Sequence, residues 1–209
     1  MTKKNYPFVK KTLWMVLAIF VFTFLYAVTR YVILGPYDFK AIPLFITNKA
    51  LAFSFVINLM ILSSPKIKNI SRMVLGLFTY LMGILHGILS VILLPTSFFE
   101  KFYDENGEMY FDTGAMVFFG VLAIILMIVI NKYFHHYKQE KSFWNSFVFE
   151  KLYLVFLIAL GLHLFVSYMD GWFVISNWYG YMPPISLLSF IAVLISTINF
   201  FQRVFCVKR

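Results

Sequence analysis

The segment LFTYLMGILHGILSVILL, Leu77–Leu94, decides how the chain is read. It is apolar enough and long enough to cross a bilayer as a helix. Its middle nevertheless carries one histidine, His86, with Gly83 and Gly87 beside it. An imidazole is costly to hold in hydrocarbon. Ionisable residues at such depth face a bundle interior or a functional cavity rather than lipid.

The rest of the composition agrees with a membrane setting. Of 209 residues, 61% are hydrophobic and 13% charged, with 26 phenylalanines. A soluble domain of this size has too little interior to hide that much apolar surface. Six apolar segments can be marked, at about 12–34, 45–63, 73–95, 115–133, 148–168 and 185–202. Each is close to the ~20 residues that span ~30 Å of hydrocarbon as a helix. The first is too long for a cleaved leader and no small-residue cleavage pattern follows it, so it is read as a retained helix. The expected fold is an all-α, six-helix integral membrane bundle forming a single domain over 1–209. The one cysteine, Cys206, leaves no internal disulfide pair and no cysteine-based metal cluster. Neither a glycine-rich phosphate loop nor a zinc-type ligand spacing occurs.

The formal charge of +9 is distributed by topology. Lys3, Lys4, Lys10 and Lys11 precede the first span. Lys66, Lys68 and Arg72 lie between the second and third, and Lys132, Lys138, Lys141 and Lys151 between the fourth and fifth. Arg203, Lys208 and Arg209 end the chain. The opposite connections hold Arg30, Lys40, Lys49 and Lys101 and seven of the nine acids. The positive-inside rule places both termini in the cytoplasm, and the expected location is a bacterial inner membrane. The basic residues read as topology determinants and lipid-headgroup contacts, with no nucleic-acid partner. Trp14, Tyr31, Trp144, Trp172 and Trp178 suit the aromatic belts at the two boundaries. In the second acidic-side connection, Asn106-Gly107 is a turn signal.

His135 and His136 fall at the cytoplasmic end of the fourth span, where a wet interfacial role is expected. His86 and His163 lie well inside the third and fifth spans, which run in the same direction. His86 follows Arg72 by 14 residues and His163 follows Glu150 by 13. At ~1.5 Å per residue these are rises of ~21 and ~20 Å. The two imidazoles therefore share one depth, which is what a common ligand requires. A heme iron takes two axial imidazoles on opposite faces of a flat macrocycle. Small residues open a slot for it: Gly83, Gly87 and Ser90 around His86, and Ala159, Gly161 and Ser167 around His163. Each imidazole's other nitrogen calls for an acceptor, such as a backbone carbonyl or a serine. The competing reading keeps both histidines as interhelical hydrogen-bonding groups and the glycines as close-packing sites.

The stretches SRMVLGLFTYLMGILH (Ser71–His86) and EKLYLVFLIALGLH (Glu150–His163) resemble the ferric reductase-like transmembrane domain family. Within it they are most similar to the heme-binding membrane subunit of periplasmic methionine sulfoxide reductase systems. The resemblance covers the second to sixth spans. It implies four histidines and two stacked hemes, with the two ligands on each helix 13 or 14 residues apart. Here the outer pair is His86 and His163, and the inner positions are occupied by Arg72 and Glu150. The chain thus looks like a single-heme branch, in which Arg72 and Glu150 are expected to form an ion pair on the cytoplasmic side.

The implied activity is transmembrane electron transfer by one heme b, as the membrane subunit of an oxidoreductase. The donor would be a cytoplasmic-side flavin (FMN or FAD) or a quinol. Lys66, Lys68, Lys138 and Lys151 are candidate contacts for flavin phosphates, although a topology role fits most of them. The acceptor would be an extracytoplasmic protein or metal ion. The alternative from another class is a non-redox scaffold or transporter subunit with structural intramembrane histidines.

Overall fold

Runs of Leu, Ile, Phe and Val, unbroken by proline and flanked by polar turns, leave the backbone no partners but its own in a bilayer, and helices result. The structure, a computed structural model, describes residues 6–67, 69–94, 102–140 and 143–206. Side chains are described throughout these except at 6, 69–70, 134–140, 143–147, 167–168, 170 and 205–206. The helices are α1 (Tyr6–Val28), α2 (Thr47–Ser63), α3 (Asn69–Leu93), α4 (Phe111–Glu140), α5 (Phe143–Trp172) and α6 (Ile185–Cys206). All six are long and apolar enough to cross a membrane. The even number of crossings returns Cys206 to the face from which Tyr6 sets out. We call that the basic face and the opposite one, which carries the acidic connections, the acidic face.

The expected segments fall within these helices apart from a few residues at their ends. α4 and α5 run past the expected 133 and begin before the expected 148, because residues 134–140 and 143–147 contain no glycine or proline to stop a helix. α1 ends in a π-helical turn, Thr29–Ile33, and a second such turn, Ile42–Ile46, leads into α2. Between them Gly35 returns the chain so closely that a Cβ there would stand 2.6 Å from the Tyr31 carbonyl oxygen.

α2 is the central helix. Along its apolar stretch 61% of residues are buried, against 22–33% for the other five, so α2 is the most enclosed of the six. It packs on α1, α3 and α6, while α4 packs along α5 and α5 on α6. Phe53, Phe55, Val56 and Leu59 of α2 anchor the core, with Leu75 of α3, Phe156 and Leu157 of α5 and Val193 and Phe200 of α6. The buried polar side chains of α2 serve its neighbours. Ser54 Oγ lies 2.5 Å from Thr23 Oγ1 of α1, whose hydroxyl is also 3.3 Å from the Ala50 carbonyl. Asn58 is fully buried and donates to Met82 Sδ of α3 at 3.3 Å.

On the acidic face two connections cover the bundle. The chain from Phe102 to Tyr110 is a small hairpin whose Gly107 N–H donates to the Asp104 carbonyl at 3.0 Å, with Gly107 at φ +78°. The Asn106-Gly107 turn is therefore as expected. Asp104 Oδ1 accepts from Asn106 N and Glu108 N, so this carboxylate is spent on the turn. The aromatic loop between α5 and α6 makes two short 3₁₀ turns, Ile175–Asn177 and Tyr179–Tyr181. α1 pins it: Tyr26 Oη donates to the Pro183 carbonyl at 2.7 Å, and Arg30 Nη1 to that of Met182. Trp172, expected in a lipid belt, is 4% exposed and instead packs on Phe165 and Phe190, with its N–H on Ser186 Oγ at 3.0 Å.

Because Thr23 ties α1 to the central helix through a hydroxyl that lipid cannot replace, Thr23→Val is expected to lower stability. Denaturant titration in micelles should read a loss of about 0.6–1.7 kcal/mol, the usual range for such bonds in membranes.

Candidate functional site

His86 and His163 line one partly open cavity of about 350 Å³, walled by α2 to α6 and reached by the end of α1. That volume lies in the range of about 300–1,000 Å³ typical of cofactor and ligand sites. The equal depth read from the sequence is thus accompanied by a shared wall. On α3 the residues Gly83, His86, Gly87 and Ser90 repeat at helical spacing and present one face to the cavity. Both imidazoles are partly accessible, and the cavity they line accounts for where that surface faces.

Each imidazole is held by its Nδ1. For His86 the partner is Asn48 Oδ1 of α2, at 2.7 Å. Asn48 in turn donates through Nδ2 to Ser90 Oγ at 3.0 Å, one turn beyond His86. Asn48 is 3% exposed, so α2 supplies a fixed amide to a ring on α3. For His163 the partner is the backbone carbonyl of Met116 on α4, at 2.9 Å. A carbonyl only accepts, as does the amide oxygen of Asn48, so each Nδ1 carries the proton and the ring lone pair resides on Nε2. This is the tautomer and second-partner arrangement of metal-ligating histidines.

The carbonyl of Met116 is reachable because of Gly120. A helix carbonyl has a second lone pair beyond the one used by residue i+4. Here residue i+4 is a glycine, and a Cβ on it would stand 2.8 Å from His163 Nδ1 and 3.0 Å from Cε1. The missing side chain is the space the imidazole occupies. On α3, a Cβ at Gly83 would meet Met127 Sδ at 2.8 Å and Phe55 at 3.0 Å, and one at Gly87 would meet Ile124 Cδ1 at 2.6 Å. These glycines let α4 and α2 approach α3.

Of the expected slot residues, Gly83, Gly87 and Ser90 line the cavity, but the space beside the two glycines is taken by Met127, Phe55 and Ile124, so there the glycines serve close packing, as the competing reading had it. Gly161 does not line the cavity: it is turned to α6, where a Cβ would meet Val193 at an ordinary 3.8 Å. The correction follows from helix geometry, since residue 161 lies two positions from His163 and so near the opposite side of α5. The side chain of Ser167 lies outside the described residues. Sequence reading missed Asn48, Met116 and Gly120. A lone asparagine and a lone glycine within spans were the available signals, and only packing pairs them with a histidine.

On the basic face, Arg72 Nη2 donates to the carbonyls of Ser64 and Ile67, at 3.3 and 3.2 Å, and so ties α3 to the turn after α2. Glu150 is partly buried on α5, and Lys66 and Lys151 are exposed. Lys68 and the side chains of Lys138, His135 and His136 lie outside the described residues.

No family model matches the chain, and no curated protein does.

The donor set itself can be tested for fit. Two neutral imidazoles complete an iron whose other four ligands come from a macrocycle, but leave a bare Zn²⁺ two ligands short. Among the described residues no group of three or more His, Cys, Asp or Glu gathers. Two imidazoles on the wall of one largely apolar cavity are a donor set that a tetrapyrrole iron could use.

The geometry sets an order of sensitivity. Gly120→Ala forces a rigid ring to move, whereas Gly87→Ala asks only the end of Ile124 to turn. In ¹⁵N spectra of labelled protein in bilayers, both histidines are expected as the Nδ1–H tautomer. Gly120→Ala should shift the His163 resonances strongly and Gly87→Ala should leave both rings nearly unchanged.

Proposed function

We propose that this chain holds one heme b between His86 and His163 and carries electrons across the membrane, from a donor at the basic, cytoplasmic face to an acceptor outside. The observation that carries the reading is the pair of imidazoles on one cavity, each with Nδ1 engaged by an acceptor and its lone pair on Nε2. Histidines serving only as interhelical glue would not need a space of about 350 Å³ beside them, which favours the cofactor over the scaffold reading.

Held by two imidazoles, a heme would supply reversible one-electron transfer with no open site for oxygen chemistry. The chain's own residues do the rest. Asn48 and the Met116 carbonyl hold each ring in one tautomer and orientation, and hydrogen bonds of this kind make the ligating nitrogen more basic. Phe55, Phe156, Leu160 and Ile124 keep the cavity wall apolar. The resemblance to the ferric reductase-like family rests on the sequence and is carried here as part of the proposal. So are a flavin or quinol donor, an extracytoplasmic protein or metal acceptor, and a bacterial inner-membrane location. Exposed Lys66 and Lys151 stand at the face where a flavin phosphate would dock. An Arg72–Glu150 pair would add a tie between α3 and α5 at that face.

Membranes containing the overproduced chain should show a reducible low-spin heme spectrum at about one heme per chain. His86→Ala and His163→Ala should each abolish it, and an unchanged spectrum in either would refute the ligand assignment. Asn48→Leu should keep the spectrum but weaken heme retention by about 10–100-fold, the usual effect of losing a ligand's supporting hydrogen bond. For the ion pair, the reversal Arg72→Glu with Glu150→Arg should restore thermal stability lost in either single variant. No restoration would mean the two residues act apart.

A further inference from the structure

The cavity carries a charge imbalance that the histidines leave unaddressed. Two cations line it, Arg30 at the end of α1 and Lys49 at the start of α2, and no Asp or Glu is among its described lining residues. Both cations belong to the acidic-face end of the cavity, where the loop residues Asn177 and Tyr179 also line it. Arg30 is the more telling of the two, being only 4% exposed. Its Nη1 donates to the Met182 carbonyl, and its guanidinium carbon lies 5.3 Å from the ring centre of Tyr31 and 5.1 Å from that of Tyr179. Its Nε is buried and has no hydrogen-bond partner among the described residues. Two aromatic rings and one carbonyl orient a guanidinium without neutralising it. A buried charge left so is costly unless an anion completes the site.

The anion must reach a cavity that is otherwise apolar, so it is best brought by an apolar molecule. Iron protoporphyrin is such a molecule, a hydrophobic disc with two carboxylates along one edge. The Arg30 guanidinium offers the forked donors that a carboxylate prefers.

We propose that Arg30, with Lys49 on the same cavity wall, is a carboxylate site that binds the propionates of the tetrapyrrole held by His86 and His163. The inference rests on the cofactor reading above. It makes Arg30 a specificity residue: it selects a macrocycle that carries free carboxylates, and it directs that edge toward the acidic face.

The test is titration of the full-length, heme-free protein in nanodiscs with hemin and with hemin dimethyl ester, whose carboxylates are capped. The growth of the low-spin Soret band is read. The unaltered chain should bind hemin at least about tenfold more tightly than the diester, the factor expected for a charge-assisted hydrogen bond. Arg30→Gln should bring the two affinities within about threefold while leaving the band position, and hence the axial ligands, unchanged. Arg30→Lys should keep part of the preference. The ester comparison needs no variant, so it decides even if Arg30→Gln does not fold. Equal binding of hemin and diester by the unaltered chain would overturn the carboxylate site and leave the two-histidine heme standing. Tightening of the diester by added acetate would place a free carboxylate at Arg30 and overturn the assignment to the cofactor. Failure to bind hemin at all would overturn the heme reading and this inference with it.

Discussion

A bilayer offers no water to a buried polar group, and that constraint organises this molecule. Hydroxyls such as Thr79 and Ser196 turn back to a carbonyl of their own helix, whereas the imidazoles and the Asn48 amide need a partner on a neighbouring one. α2 answers most of this demand. It is the most enclosed helix, and its Asn48 and Asn58 reach α3 while its Ser54 reaches α1. The position of α2 at the centre and the fixing of His86 are therefore one event. The asparagine that satisfies the ring also draws α3 against α2.

The second histidine is satisfied by different means. His163 reaches a backbone carbonyl, which any helix has in abundance but normally shields with its own side chains. Gly120 removes that shield at one place on α4. A single absent side chain thus decides both where the ring rests and which of its nitrogens keeps the lone pair. The same economy appears at Gly83 and Gly87, where missing side chains admit Met127, Phe55 and Ile124 against α3. The close approach leaves the cavity beside His86 bounded by large apolar groups, so the polar atoms within it are few and placed.

The cavity wall combines Phe55, Phe156 and Met127 with the two imidazoles, and with Arg30, Lys49 and Tyr179 from the ends of the helices and the loop. The loop between α5 and α6 keeps that end in place through Tyr26 and Arg30 of α1, so the first helix matters to the site without supplying a ligand.

By itself the sequence determined the number of helices, their approximate limits, the Asn106-Gly107 turn and the two histidines worth watching. These follow from local quantities: apolar run length, glycine conformation and rise per residue. The even spacing of His86 from Arg72 and His163 from Glu150 gave a common depth, because a helix converts residue count into height. Rotation about each helix axis was another matter. It decided that Gly161 turns to α6, that Trp172 is buried rather than interfacial, and that Gly120 and Asn48 are the groups in contact with the imidazoles. Facing is set by which neighbours pack, and lipid is as apolar as most of these side chains, so no hydrophobic stripe in the text announces it. Only the tertiary arrangement, by pairing the imidazoles with Asn48 and the Met116 carbonyl, chose the faces that meet.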